Sequence, residues 1–96
     1  MTITPYKNLQ EIEHTEIYRV FTRLIPFNQD DIEFKWHRDS YDRLITIKSG
    51  SNWCLQFENT LPIQLQLEQK YFIKKDEWHR VIKGTTDLLI EIKEFF

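Results

Sequence analysis

The stretch RLITIKSGSNWCLQFEN, residues 43–59, sets two runs rich in β-branched, aromatic and aliphatic residues on either side of Ser49, Gly50, Ser51 and Asn52. Such runs suit a pleated, half-buried backbone, and small polar residues around a glycine suit a turn. The segment therefore reads as strand, turn, strand. Working upstream, IEFKWHR alternates strictly, with Ile32, Phe34 and Trp36 on one face and Glu33, Lys35 and His37 on the other, a period of two that predicts another strand. The run IYRVFTRLI, residues 17–25, stops at Pro26 and predicts a further one. Downstream, IQLQLE from Ile63, YFI from Tyr71, WHRVIK from Trp78 and LLIEIKEF from Leu88 continue the pattern. Pro5, Pro26, Pro62, Gly50 and Gly84 all lie where the periodicity breaks.

The result is seven or eight short strands, with no helical window longer than the ambiguous Leu9 to Glu16. Strands at this spacing predict an all-β fold, a small barrel or two-sheet sandwich of jelly-roll type, because closing or doubling a sheet hides its edges. Residues 1–16 read as an N-terminal segment, extended or a short helix, and residues 17–96 as the barrel domain. Ninety-six residues can bury one core without staples, and aromatics from Tyr6 to Phe96 leave no long segment too polar to fold.

Thirteen basic and fifteen acidic residues, with neither sign in a long block, argue against a nucleic-acid or membrane surface. The lone Cys54 permits no intrachain disulfide and no thiolate zinc site, which fits a reducing, cytoplasmic setting. Met1 to Gln10 has no apolar signal-peptide core, and no run approaches the ~18 apolar residues of a membrane span.

One feature rises above this background: Trp-His-Arg occurs twice, at Trp36-His37-Arg38 and Trp78-His79-Arg80. In each copy a two-residue period turns the histidine away from its Trp and Arg neighbours. Both imidazoles can then face one interior while the tryptophans cover the outside. Ordinary packing is the competing explanation. The spacing around these tripeptides is similar to the two motifs of small cupins: a His, a second His two residues on, a Glu four later and a Gly at fixed distance, then Pro-x-Gly-x-x-His. His37 matches the first position, Asp39 stands at the second His, Arg43 stands at the Glu, and six residues separate Arg43 from Gly50. Lys74 stands for the Pro, Asp76 for the Gly, and His79 falls on the His. From Glu33 to Glu94 the chain resembles compact single-domain cupins, including ones encoded by tailed phages, with a degenerate metal motif.

The resemblance implies a cupin-like barrel. A metal set of His37, Asp39 and His79 would suit iron, manganese, zinc or nickel, since a carboxylate can replace an imidazole at such ions. Arg43 departs from the pattern, because a guanidinium stays charged and repels a divalent ion. Asp42 is one residue off the glutamate position and reaches the same face only through a bulge. Arg43 has two further readings. It can read a carboxylate or phosphate, making His37, Asp39, Arg43 and His79 a cup for a small anionic molecule, or it can form an ion pair with Asp39 or Asp42.

Three functions stay open. One is a small-molecule-binding barrel without a full metal site. Another is a metal-dependent enzyme of dioxygenase, isomerase or lyase type on His37, Asp39 and His79. The third is a protein-interaction scaffold. Whether any reaction is catalysed is undecided at this level. A homodimer is expected, since one apolar side of the alternating runs needs cover.

Overall fold

The computed structural model describes residues 6–96, which form eight strands and one short 3-10 turn: β1 (Lys7–His14), β2 (Tyr18–Ile25), the turn (Ile32–Phe34), β3 (Asp42–Ser49), β4 (Cys54–Phe57), β5 (Ile63–Gln64), β6 (Lys70–Ile73), β7 (His79–Ile82) and β8 (Leu88–Phe95). They make two sheets, ordered β1-β2-β8-β3-β6 and β5-β4-β7, with every pairing antiparallel. The fold is all-β and of jelly-roll type. Among the described residues no helix is long and apolar enough to cross a membrane.

The central strand β8 shows how the interior is built. Leu88, Ile90, Ile92 and Glu94 are buried while the residues between them are only half-buried, so one face of LLIEIKEF points into the barrel. Register does the rest. Ile92 lies between Phe21 of β2 and Ile45 of β3, and Ile90 lies between Arg23 and Ile47. Leu55 of β4 and Val81 of β7 join this core from the second sheet. One end of the interior is therefore aliphatic. At the other end Glu94 lies between Arg19 and Arg43.

The turn after β3 is a crossing between sheets, since β3 sits between β8 and β6 while β4 sits between β5 and β7. Gly50 (φ 130°) and Asn52 (φ 64°) supply the reversal. Gly84 serves a different need, because a Cβ there would collide with the Ser51 carbonyl and the Trp53 ring.

Two strand expectations need correction. Ile32–Phe34, predicted as strand from its alternation, is the 3-10 turn: Asp31 caps it, its Oδ1 accepting the Glu33 N–H at 2.9 Å. Ile32 and Trp36 are consequently exposed, whereas Phe34 packs near the Trp53 ring, 5.9 Å between centroids. The IQLQLE run is strand only at Ile63–Gln64; Leu65 is buried, its N–H donating to the Trp53 carbonyl, and Glu68 adopts a positive φ of 64°. Within the N-terminal segment, Lys7–His14 is strand β1, hydrogen-bonded to β2 and exposed along its whole length. The segment's first five residues lie outside the described ones.

Candidate functional site

The two Trp-His-Arg tripeptides meet. His37 and His79 face each other in an antiparallel bridge, each backbone N–H donating to the other's carbonyl, at 3.0 Å from His37 and 2.9 Å from His79. An antiparallel bridge between equal tripeptides sets each tryptophan opposite the other copy's arginine. The Arg38 guanidinium lies 5.2 Å from the Trp78 ring centre, and Arg80 lies 4.9 Å from that of Trp36. These four side chains cover the outer face. The imidazoles share the inner face, their centroids 4.3 Å apart.

Both rings are oriented the same way. His37 Nδ1 is 2.8 Å from the Lys35 carbonyl, and His79 Nδ1 is 2.8 Å from that of Glu77. A carbonyl only accepts, so each Nδ1 carries a hydrogen, and each Nε2 is turned to the interior, where it offers a lone pair in the neutral ring and a proton in the imidazolium. Asp39 stands between them, with Oδ2 3.3 Å from His79 Nε2 and Oδ1 3.9 Å from His37 Nε2. Its own segment is tied to the second motif, the Asp39 carbonyl accepting the Asp76 N–H at 2.8 Å. Asp76, at the motif's glycine position, holds φ 62°, and Gly50, at the other, holds φ 130°. Both positions hold a positive φ, which glycine adopts freely and aspartate tolerates.

Arg43 points inward and is ion-paired. Its Nε donates to Glu94 Oε2 at 2.8 Å, its second terminal nitrogen reaches the same oxygen at 2.7 Å, and the other lies 3.4 Å from Asp39 Oδ2. Asp42 is engaged elsewhere, accepting the Lys75 N–H. Glu94 also accepts from Arg19 Nε at 3.0 Å. A second pair closes the site from the other side: Arg23, only 3% exposed, places a terminal nitrogen 3.3 Å from Glu33 Oε1, and Glu33 Oε2 lies 3.4 Å from His37 Nε2.

The electrostatics follow from this arrangement. Burial alone would lower the His37 pKa, but the Glu33 and Asp39 carboxylates and the Lys35 carbonyl outweigh it and raise the value. Burial would likewise raise Asp39, yet His79, Arg43 and His37 hold it below the usual carboxylate range. Glu33 is also lowered, its burial outweighed by His37 and Arg23. Asp31 goes the other way, raised chiefly by burial. Asp31 Oδ2, His37 Nε2 and Asp39 Oδ2 are buried atoms that make no hydrogen bond. A cavity of about 20 Å³ is lined by Arg23, Glu33, Asp39, Arg43 and His79 together with aliphatic side chains of the core. That is space for a water or a single ion.

The structure therefore brings together all four residues singled out in the sequence, and His37, Asp39 and His79 offer donor atoms within 4.8 Å of one another. Glu94, Arg23 and Arg19 were not singled out. Their signal was a charge sitting at the inward parity of an otherwise apolar strand face, as in Leu88, Ile90, Ile92, Glu94.

No family model matches the chain, and no curated protein matches it. Solved structures do. A cupin domain from Bordetella pertussis Tohama I superposes with TM-score 0.72 at 18% identity, over 100% of this chain and 98% of that one. KdgF from Halomonas sp. gives 0.77 at 10% identity, over 99% and 83%. The DMSP lyase DddQ from Ruegeria pomeroyi DSS-3 gives 0.72 at 11%, over 85% of this chain and 40% of that longer one.

Proposed function

Because the chain has the cupin fold, we propose that its barrel holds one divalent transition-metal cation on His37, Asp39 and His79, and that the protein works through that ion. The observation that carries this reading is the confrontation of lone pairs. His79 Nε2 faces Asp39 Oδ2 at 3.3 Å, and the inward-facing His37 Nε2 makes no hydrogen bond. Beyond the Arg43 nitrogen 3.4 Å from Asp39 Oδ2, a proton or a metal among these atoms is needed to offset the repulsion of facing acceptors.

The donor chemistry fits. Metal–ligand bonds of about 2.1 Å put neighbouring donors roughly 3.0–3.5 Å apart, close to the Asp39–His79 separation. Each imidazole is fixed through its other nitrogen by a backbone carbonyl, the usual outer support of a metal-bound histidine. Two imidazoles and a carboxylate suit iron(II), manganese(II), zinc(II) or nickel(II). Such an ion supplies Lewis acidity when bound.

The anion-cup reading has less support. A cavity of about 20 Å³ is too small for an organic ligand, and the Arg43 guanidinium is already engaged by Glu94 and Asp39. The enzyme reading extends the metal reading, and it needs a small substrate to reach the ion. The experiment is elemental analysis of protein purified from metal-replete cells, followed by calorimetric titration of stripped protein with Zn(II), Co(II) and Mn(II). One ion per chain is expected, lost in His37→Ala. A folded wild type that takes up none of the three overturns the proposal.

A further inference from the structure

Among the described residues, Asp39 is the one carboxylate that joins the two imidazoles within donor reach. Glu94 is taken by Arg19 and Arg43, and Glu33 is held by Arg23 and faces His37. Even Asp39 is shared. Its Oδ2, the oxygen 3.3 Å from His79 Nε2, is also the one that Arg43 approaches, at 3.4 Å. We infer that Arg43 makes the site selective, admitting ions bound chiefly through imidazole, such as Zn(II), and disfavouring hard ions that depend on carboxylate charge, such as Mn(II). The inference rests on the metal reading above and goes beyond it, because the three donors alone suit both kinds of ion.

The contact acts through charge. Asp39 Oδ2 makes no hydrogen bond, so the guanidinium leaves its lone pairs open, yet a full positive charge at 3.4 Å draws on the same negative charge that an ion would use. Arg43 is not free to swing clear. Its Nε and one terminal nitrogen hold Glu94 Oε2 at 2.8 and 2.7 Å, and both side chains are largely buried. Glu94 offsets only part of the guanidinium charge, because it also accepts from Arg19 at 3.0 Å. Nor does the charge depend on pH, since a guanidinium does not deprotonate in a protein. Arg43 lines the small interior cavity together with Asp39 and His79, so its charge borders the space open to an ion. An ion there meets two imidazoles at full strength and one weakened carboxylate. Zinc, cobalt and nickel bind imidazole nitrogen well and lose little, whereas manganese, which draws its affinity mainly from oxygen anions, loses most. The intrinsic order of these ions already favours zinc over manganese, and Arg43 widens that gap.

The test is calorimetric titration of the stripped full-length protein with Zn(II) and with Mn(II), read as the ratio of the two dissociation constants. Arg43→Met should tighten Mn(II) by about tenfold or more and Zn(II) by no more than about threefold, so that the ratio closes. Arg43→Lys keeps a cation on the strand and should stay nearer the wild-type ratio. Where Arg43→Met does not fold, Arg43→Met combined with Glu94→Leu strands no charge and gives the same reading. A folded variant lacking Arg43 with the wild-type ratio, an Arg43→Lys ratio equal to that of Arg43→Met, or a wild type that binds Mn(II) as tightly as Zn(II) overturns the selectivity and leaves the three-ligand site standing. A wild type that takes up neither ion overturns both.

Discussion

Replacing Glu94 with glutamine keeps the side-chain volume and removes only its charge, so the change isolates what the carboxylate does between Arg19 and Arg43. The two arginines are unequal. Arg19 is 35% exposed in its side chain, where solvent screens the pair, and its loss should cost under about 1 kcal/mol. Arg43 is 15% exposed and Glu94 only 4%, and Arg43 approaches one Glu94 oxygen through two nitrogens, at 2.8 and 2.7 Å. Stranding one partner of a pair this buried costs roughly 3–5 kcal/mol. Asp39 still offers Arg43 a second contact, which argues for the lower end, about 3 kcal/mol. A domain of this size has only ~5–14 kcal/mol of stability, so the melting temperature should drop by on the order of 15 °C. Urea unfolding followed by tryptophan fluorescence should show the midpoint falling with the slope unchanged. Arg19→Gln is the control and should barely move it. The double replacement Arg43→Met with Glu94→Leu should recover most of the loss, because no charge is then left stranded. If Glu94→Gln stays within about 0.5 kcal/mol of the wild type, or the double variant is no better than the single, the charge pair does not hold this end of the barrel together.

Other outcomes follow from the same geometry. The raised pKa of His37 means that its contribution to metal-free stability is fully present below about pH 6.5 and is lost as pH rises through the folded value. The lowered values of Asp39 and Glu33 act oppositely: their contributions are present above about pH 4.3 and are lost as pH falls through the folded values. Unfolding midpoints measured across this range without metal should therefore decline on both sides, and the alkaline decline should vanish in His37→Gln; its persistence there would assign it to another group. Gly84→Ala should destabilise by about 2 kcal/mol or more, since its Cβ has to displace the Ser51 backbone or the Trp53 ring, and a variant that melts like the wild type would contradict that packing.

Much of the fold could be read from the chain. β2, β3, β4, β7 and β8 fall on the runs named for them, because β-branched and aromatic residues at a period of two leave few alternatives to a half-buried strand. Ile32–Phe34 escaped that logic. Its alternation is real, but Asp31 immediately before it offers a side-chain oxygen to the Glu33 N–H, and that local bond outweighs a periodicity only seven residues long. The inward parity of His37 and His79, and the motif spacing around Gly50 and Asp76, depend only on residue order. They were accordingly visible without coordinates.

What residue order could not contain is which charges meet. The Arg43–Glu94 contact joins residues 51 apart and Arg19–Glu94 joins residues 75 apart, each created by strands that become neighbours only when β8 inserts between β2 and β3. Periodicity assigns a side chain to a face; only the order and register of the strands say what stands across from it. For that reason the sequence left Arg43 as a reader of an anion or as the ion-pair partner of Asp39 or Asp42, whereas its capture by Glu94, and the pairing of Arg23 with Glu33, were decided by tertiary structure.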